Sequence, residues 1–187
     1  NRHHHVASGA TKVDLNDVAA SKRAEKQDGK LYVRAWRAVA LACGDLGTLF
    51  LSVFDLFKIG IGPSSSHTMG PMTAAARFLA ELLSDDWPRP TGVQVDRLGA
   101  SLHGSLAYTG LGHGSDRAVI LGLTGLVPTT VDPDQVENIM AEITAKKRIS
   151  PPGHPAYRFD PATDLVLDKK TPLTGHANGM AFYAYDA

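Results

Sequence analysis

Residues Lys58-Ile-Gly-Ile-Gly-Pro-Ser-Ser-Ser-His-Thr-Met-Gly-Pro-Met72 carry the chain from an apolar run, through glycines and a cluster of short polar side chains, into the start of a helix. Gly60 and Gly62 permit close approaches and backbone angles that a Cβ forbids, and Pro63 stiffens the turn after them. Ser64, Ser65, Ser66, His67 and Thr68 then crowd onto the approach to a helix N-terminus, where free N–H groups and the positive dipole end favour an anion. The bland alternative is an ordinary capped helix with Pro71 near its first turn. One cap needs one hydroxyl, whereas this stretch supplies four and an imidazole. The residue types alone leave both readings open, because the loop lacks the Walker and dinucleotide glycine patterns.

Downstream, Met72, Ala75, Ala76, Phe78, Leu79, Leu82 and Leu83 form an apolar stripe at helical spacing, so residues 71–83 pack on a core. Val93 to Leu98 alternates as a half-buried strand does, with Trp87 before it at the core edge. A second polar stretch follows, in which Gly99, Gly104, Gly110, Gly112 and Gly114 are too frequent for one continuous helix or strand. His113 stands between two glycines, which presents it instead of packing it, and Ser115-Asp116 resembles the N-cap of a short helix Arg117 to Leu123. Asp132 caps a further helix with Pro133 in its first turn and Val136, Ile139, Met140 and Ile143 on one face. Asp164 to Asp168 and Met180 to Tyr185 read as strands, separated by a turn over 171–179.

Upstream, residues 1–50 differ from the rest. Asn1-Arg-His-His-His reads as tag remnant, so His3, His4 and His5 are set aside. The charged segment Asp14 to Lys30 suits a solvated linker or helix, and the alanine-rich Leu31 to Cys43 suits a docked amphipathic helix. With 187 residues there is room for one domain, and 19 basic against 19 acidic side chains leave no global field to hold nucleic acid or an anionic membrane. No apolar run approaches the ~20 residues of a membrane span, and the single cysteine, Cys43, makes no internal disulfide, which points to the cytoplasm. No dinucleotide pattern or Schiff-base lysine stands out, and no spaced His/Asp/Glu motif marks a metal site of the chain's own.

Three blocks in one order resemble the iron-sulfur L-serine dehydratases, in their beta chain or beta domain. They are Ser52 to Pro71; Gly104-Ser-Leu with Gly110-Leu-Gly-His-Gly-Ser-Asp-Arg-Ala118; and His176-Ala-Asn-Gly-Met180. The chain departs from the family pattern at His103, where tyrosine or phenylalanine is usual, so His103 reads as structural. It departs again at Ala177, which replaces a hydroxyl residue at little change in size. The resemblance divides the chain into an extension, 1–50, and a beta domain, 51–187, without the helical alpha domain that carries a 4Fe-4S cluster. One cysteine does not hold such a cluster, which takes three or four thiolates.

What the resemblance implies is a lyase converting L-serine to pyruvate and ammonia in serine catabolism. Its cluster acts as Lewis acid on the substrate hydroxyl while a base removes the Cα proton. His113 matches the family's base, and an imidazole suits that work near neutral pH. Ser64, Ser65, Ser66, His67 and Thr68 would bind the substrate carboxylate, with His176 and Asn178 lining the same mouth. The implied partners are L-serine, the alpha domain and a second copy of the protein; the isolated chain is expected to be inactive. The fold expected is α+β, with helices on one face of a mixed sheet of about four strands, similar to the intervening substrate-binding domain of phosphoglycerate dehydrogenase. That likeness carries a rival reading, a non-catalytic module that senses serine or another small acid.

Overall fold

The computed structural model describes residues 21–27, 30–38, 60–84, 94–171, 173 and 179–186. Cys43, Trp87, His176, Asn178 and the tag-like residues lie outside them. Strands β1 (Ser21–Gln27) and β2 (Lys30–Ala38) precede helix α1 (Met69–Leu83). Strand β3 (Val95–His103) then leads into two helices, α2 (Ser105–His113) and α3 (Ser115–Leu123). A 3₁₀ turn over Pro133–Gln135 opens α4 (Val136–Lys146). The chain closes with β4 (Arg148–Ile149), β5 (Tyr157–Arg158), β6 (Leu165–Asp168) and β7 (Gly179–Asp186).

β3 organises the sheet. β7 runs antiparallel along one edge of it, and β5 and β6 run parallel to it. The order is β1-β2-β7-β3-β5-β4, with β6 also on β3. The mixed sheet and the α+β class agree with the sequence reading; β1, β2 and the two-residue β4 and β5 extend the sheet beyond the four strands expected. No helix among the described residues is long and apolar enough to cross a membrane.

The period of two along β3 and β7 decides where the core lies. Leu98, Ala100 and Leu102 on β3 and Met180, Phe182 and Ala184 on β7 join one buried cluster. All four α-helices among the described residues feed it: Phe78 and Leu82 from α1, Leu106 from α2, Val119 and Leu123 from α3, and Ile143 from α4. Phe78 and Phe182 stack with ring centroids 5.2 Å apart. Burying each such ring stabilises the fold by roughly 1.5–3 kcal/mol. α1 and α3 cross so closely that a Cβ on Gly122 would collide with the Met72 carbonyl and lie 2.6 Å from the Ala75 Cβ.

Three local readings are corrected. Residues 30–38 form a strand, not a docked helix, and residues 21–27 form its antiparallel neighbour, not a linker or helix. Tyr32, Val33 and Trp36 favour extended backbone, and pairing with β7 satisfies a row of peptide groups, which outweighs the helix preference of the alanines. The glycine-rich stretch, by contrast, is as expected not one continuous element but strand, helix and helix, broken at Gly104 (φ 57°) and Gly114 (φ 73°), backbone angles that glycine tolerates without strain. Ser115 is not a cap but the first residue of α3, fully buried, and Gly114 occupies the N-cap position with no side-chain cap.

Candidate active site

The serine loop winds directly onto α1. The N–H groups of His67 and Thr68 donate to the Ser64 carbonyl and that of Gly70 to the Ser65 carbonyl, so part of the expected anion-binding donor set is spent within the turn. Gly62 adopts φ 87°, and a Cβ there would collide with the Thr68 side chain, so the glycine is what lets the turn close. Thr68 is only 4% exposed and its hydroxyl donates to the Ser64 carbonyl at 2.6 Å; it faces inward as a brace. Ser65, by contrast, is exposed and its hydroxyl makes no hydrogen bond among the described residues.

Ser64, Ser66 and His67 share a network. The Ser66 hydroxyl lies 3.0 Å from His67 Nδ1, with the Ser64 hydroxyl 3.1 Å from that of Ser66 and 3.4 Å from the same ring nitrogen. His67 Nε2 reaches across to the Thr109 hydroxyl on α2 at 2.8 Å. One turn along α2 stands His113, exposed, whose Nδ1 lies 3.0 Å from the Thr109 carbonyl. A carbonyl only accepts, so Nδ1 carries the proton and the neutral ring keeps its lone pair on Nε2.

The two imidazoles face each other with centroids 4.8 Å apart and planes 36° apart. Partial burial, and secondarily the charge that His113 would carry, hold the His67 pKa below its ordinary value. His67 is therefore held in its neutral form more firmly than a free imidazole. The structure thus brings Ser64, Ser66, His67 and His113 together on one rim, joined through Thr109, while His176 and Asn178 lie outside the described residues. Thr109 escaped the sequence reading; its signal is the spacing of four from His113 on what proves to be a helix.

A second polar network is buried behind β3. His103 is 6% exposed, with Nε2 2.7 Å from the Ser101 hydroxyl and Nδ1 2.7 Å from the Thr171 carbonyl. The Ser101 hydroxyl is also 2.9 Å from that of Tyr183. The Asp168 carboxylate accepts from the Thr171 and Lys170 N–H groups, and those bonds hold its pKa below the ordinary value. His103 is thus a fully partnered core histidine. The segment it grips touches the site helix, for the Tyr108 hydroxyl donates to the Lys169 carbonyl at 2.9 Å.

Comparison with known proteins fits this architecture. The model of the family described as serine dehydratase beta chain matches residues 52–187. An L-serine dehydratase of Streptomyces coelicolor is 46% identical over 138 residues, which cover 73% of this chain and 29% of the relative. L-serine dehydratase of Helicobacter pylori is 41% identical over 138 residues, 73% of this chain and 28% of the relative. L-serine dehydratase 1 of Escherichia coli is 37% identical over 137 residues, 73% and 29%. The chain therefore spans under a third of the length of these curated relatives. With a family model covering everything from Ser52 onward, the β-sheet core, the serine loop and the histidine helix included, the chain belongs to the serine dehydratase beta chain family.

Proposed function

We propose that this chain is the beta portion of an L-serine dehydratase, a lyase that deaminates L-serine to pyruvate and ammonia, and that it supplies the substrate loop and the catalytic base. The observation that carries the reading is the state of His113. Its Nδ1–H is committed to the Thr109 carbonyl, so the exposed ring has Nε2 left to act as a base beside the serine loop. Ser65, with its free hydroxyl, is the donor for the substrate carboxylate. Ser64 and Ser66 stand beside it and tie the loop to His67, and Thr68 braces the turn from within. His176 and Asn178, by family likeness, complete the mouth.

The residues of this chain do not fit the 4Fe-4S cluster that the family implies. No group of three or more His, Cys, Asp or Glu side chains among the described residues is placed to hold a metal, and Cys43 is the single thiol of the sequence. The cluster belongs, in this proposal, to the alpha portion, which also supplies the chemistry at the departing hydroxyl. This chain's part is to bind the carboxylate, orient Cα toward His113 Nε2 and accept the proton there. After anaerobic iron reconstitution the chain alone should make no pyruvate from L-serine, and adding an alpha portion of the family should restore it. Pyruvate from the chain alone, or none from the reconstituted pair, overturns the proposal.

A further inference from the structure

We infer that Thr109 is a positioning residue that holds both site imidazoles in opposite tautomers, His67 as Nε2–H through its hydroxyl and His113 as Nδ1–H through its carbonyl. The Thr109 hydroxyl lies 2.7 Å from the Ser105 carbonyl, which only accepts, so the single hydroxyl proton goes there. The 2.8 Å contact between Thr109 Oγ1 and His67 Nε2 is then made by a proton on the ring nitrogen. With Nε2 protonated, the neutral His67 ring has its lone pair on Nδ1, which accepts from the Ser66 hydroxyl at 3.0 Å. Ser66 Oγ in turn accepts from the Ser64 hydroxyl. One chain of donors therefore runs Ser64, Ser66, His67, Thr109, Ser105, all in one direction, from the serine loop to the first turn of α2.

Two consequences follow for the site. The protons of Ser64 and Ser66 are turned toward the ring, so these hydroxyls present oxygen lone pairs outward, suited to the ammonium of an amino acid, and Ser65 remains the hydroxyl donor for its carboxylate. The serine loop and the base are also registered to one another through a single residue, because the residue whose hydroxyl latches His67 is the residue whose carbonyl orients His113. This inference rests on the proposed roles of the loop and His113 for its kinetic consequence, but not for the tautomers themselves.

The experiment is long-range 1H–15N correlation of the imidazoles in the 187-residue chain, with kinetics of the complete enzyme beside it. The wild type should show His67 protonated at Nε2 and His113 at Nδ1. In Thr109→Val, which removes the acceptor at nearly constant shape, exchange of the His67 Nε2 proton should accelerate at least ~10-fold, as expected when one hydrogen bond is lost. KM for serine should rise several-fold and by more than kcat falls. Thr109→Ser should restore both, and Thr109→Ala serves as the second variant should valine disturb the helix. A wild-type His113 protonated at Nε2, or a His67 proton that exchanges equally fast in all variants, overturns the inference. Opposite tautomers with Thr109-dependent exchange, together with an unimpaired His113→Asn enzyme, would uphold Thr109 and sink the assignment of the base instead.

Discussion

His67 and His113, brought from separate segments, stand with ring centroids 4.8 Å apart, and burial together with the charge of its neighbour keeps the His67 pKa low. A histidine whose folded pKa lies below its unfolded value contributes full stability above the unfolded value, near 6.5, and loses it as pH falls through that value toward the folded one. His154, also lowered by burial, acts in the same direction. Thermal midpoints should thus decline from pH 7 to pH 5, and His67→Asn should flatten part of the decline. An unchanged profile in that variant would show that the pair does not couple to folding.

The α1–α3 crossing makes a second prediction, in which two glycines have opposite effects. Gly122→Ala places a methyl against the Met72 carbonyl and should destabilise by about 1–3 kcal/mol, as overpacking does. Gly112 is helical with nothing within 4 Å of its would-be Cβ, so Gly112→Ala should stabilise by about 0.5–1 kcal/mol. Urea denaturation midpoints compare the two directly, and a shift in the same direction for both would refute the packing described.

The departure from the family pattern at His103 gives a third. His103→Phe removes the ring from between the Ser101 hydroxyl, which keeps its contact with Tyr183, and the carbonyl of the exposed Thr171. The net loss is that of ordinary hydrogen bonds, about 0.5–1.5 kcal/mol each, so the unfolding midpoint should fall measurably. A phenylalanine variant as stable as the wild type would mean that the polar network contributes nothing net.

Much of this was legible in the residues. The apolar stripes of α1 and α4 and the Asp132-Pro133 start have a helical period that tertiary context did not override, and the Asp132 carboxylate does accept from the Asp134 N–H. The extension was not legible, since alanines and charges carry little strand signal and β2 forms because β7 offers it an edge. At the site, hydroxyl and histidine types marked Ser64 to His67 and His113. Their inequality was hidden: Thr68 turns inward while Ser65 stays free, a difference set by the winding of one turn. Thr109 was invisible because its importance lies in a contact with His67 across 42 positions of sequence.

The most direct test of the central claim is steady-state kinetics of the complete, cluster-loaded enzyme carrying His113→Asn or Ser65→Ala. Loss of the general base should lower kcat by ~100-fold to ~10,000-fold with little change in KM, whereas loss of a carboxylate-binding hydroxyl should act mainly on KM. A His113→Asn enzyme whose saturated rate stays near wild type, with only cooperativity or effector response altered, would contradict the account and make this domain a sensor.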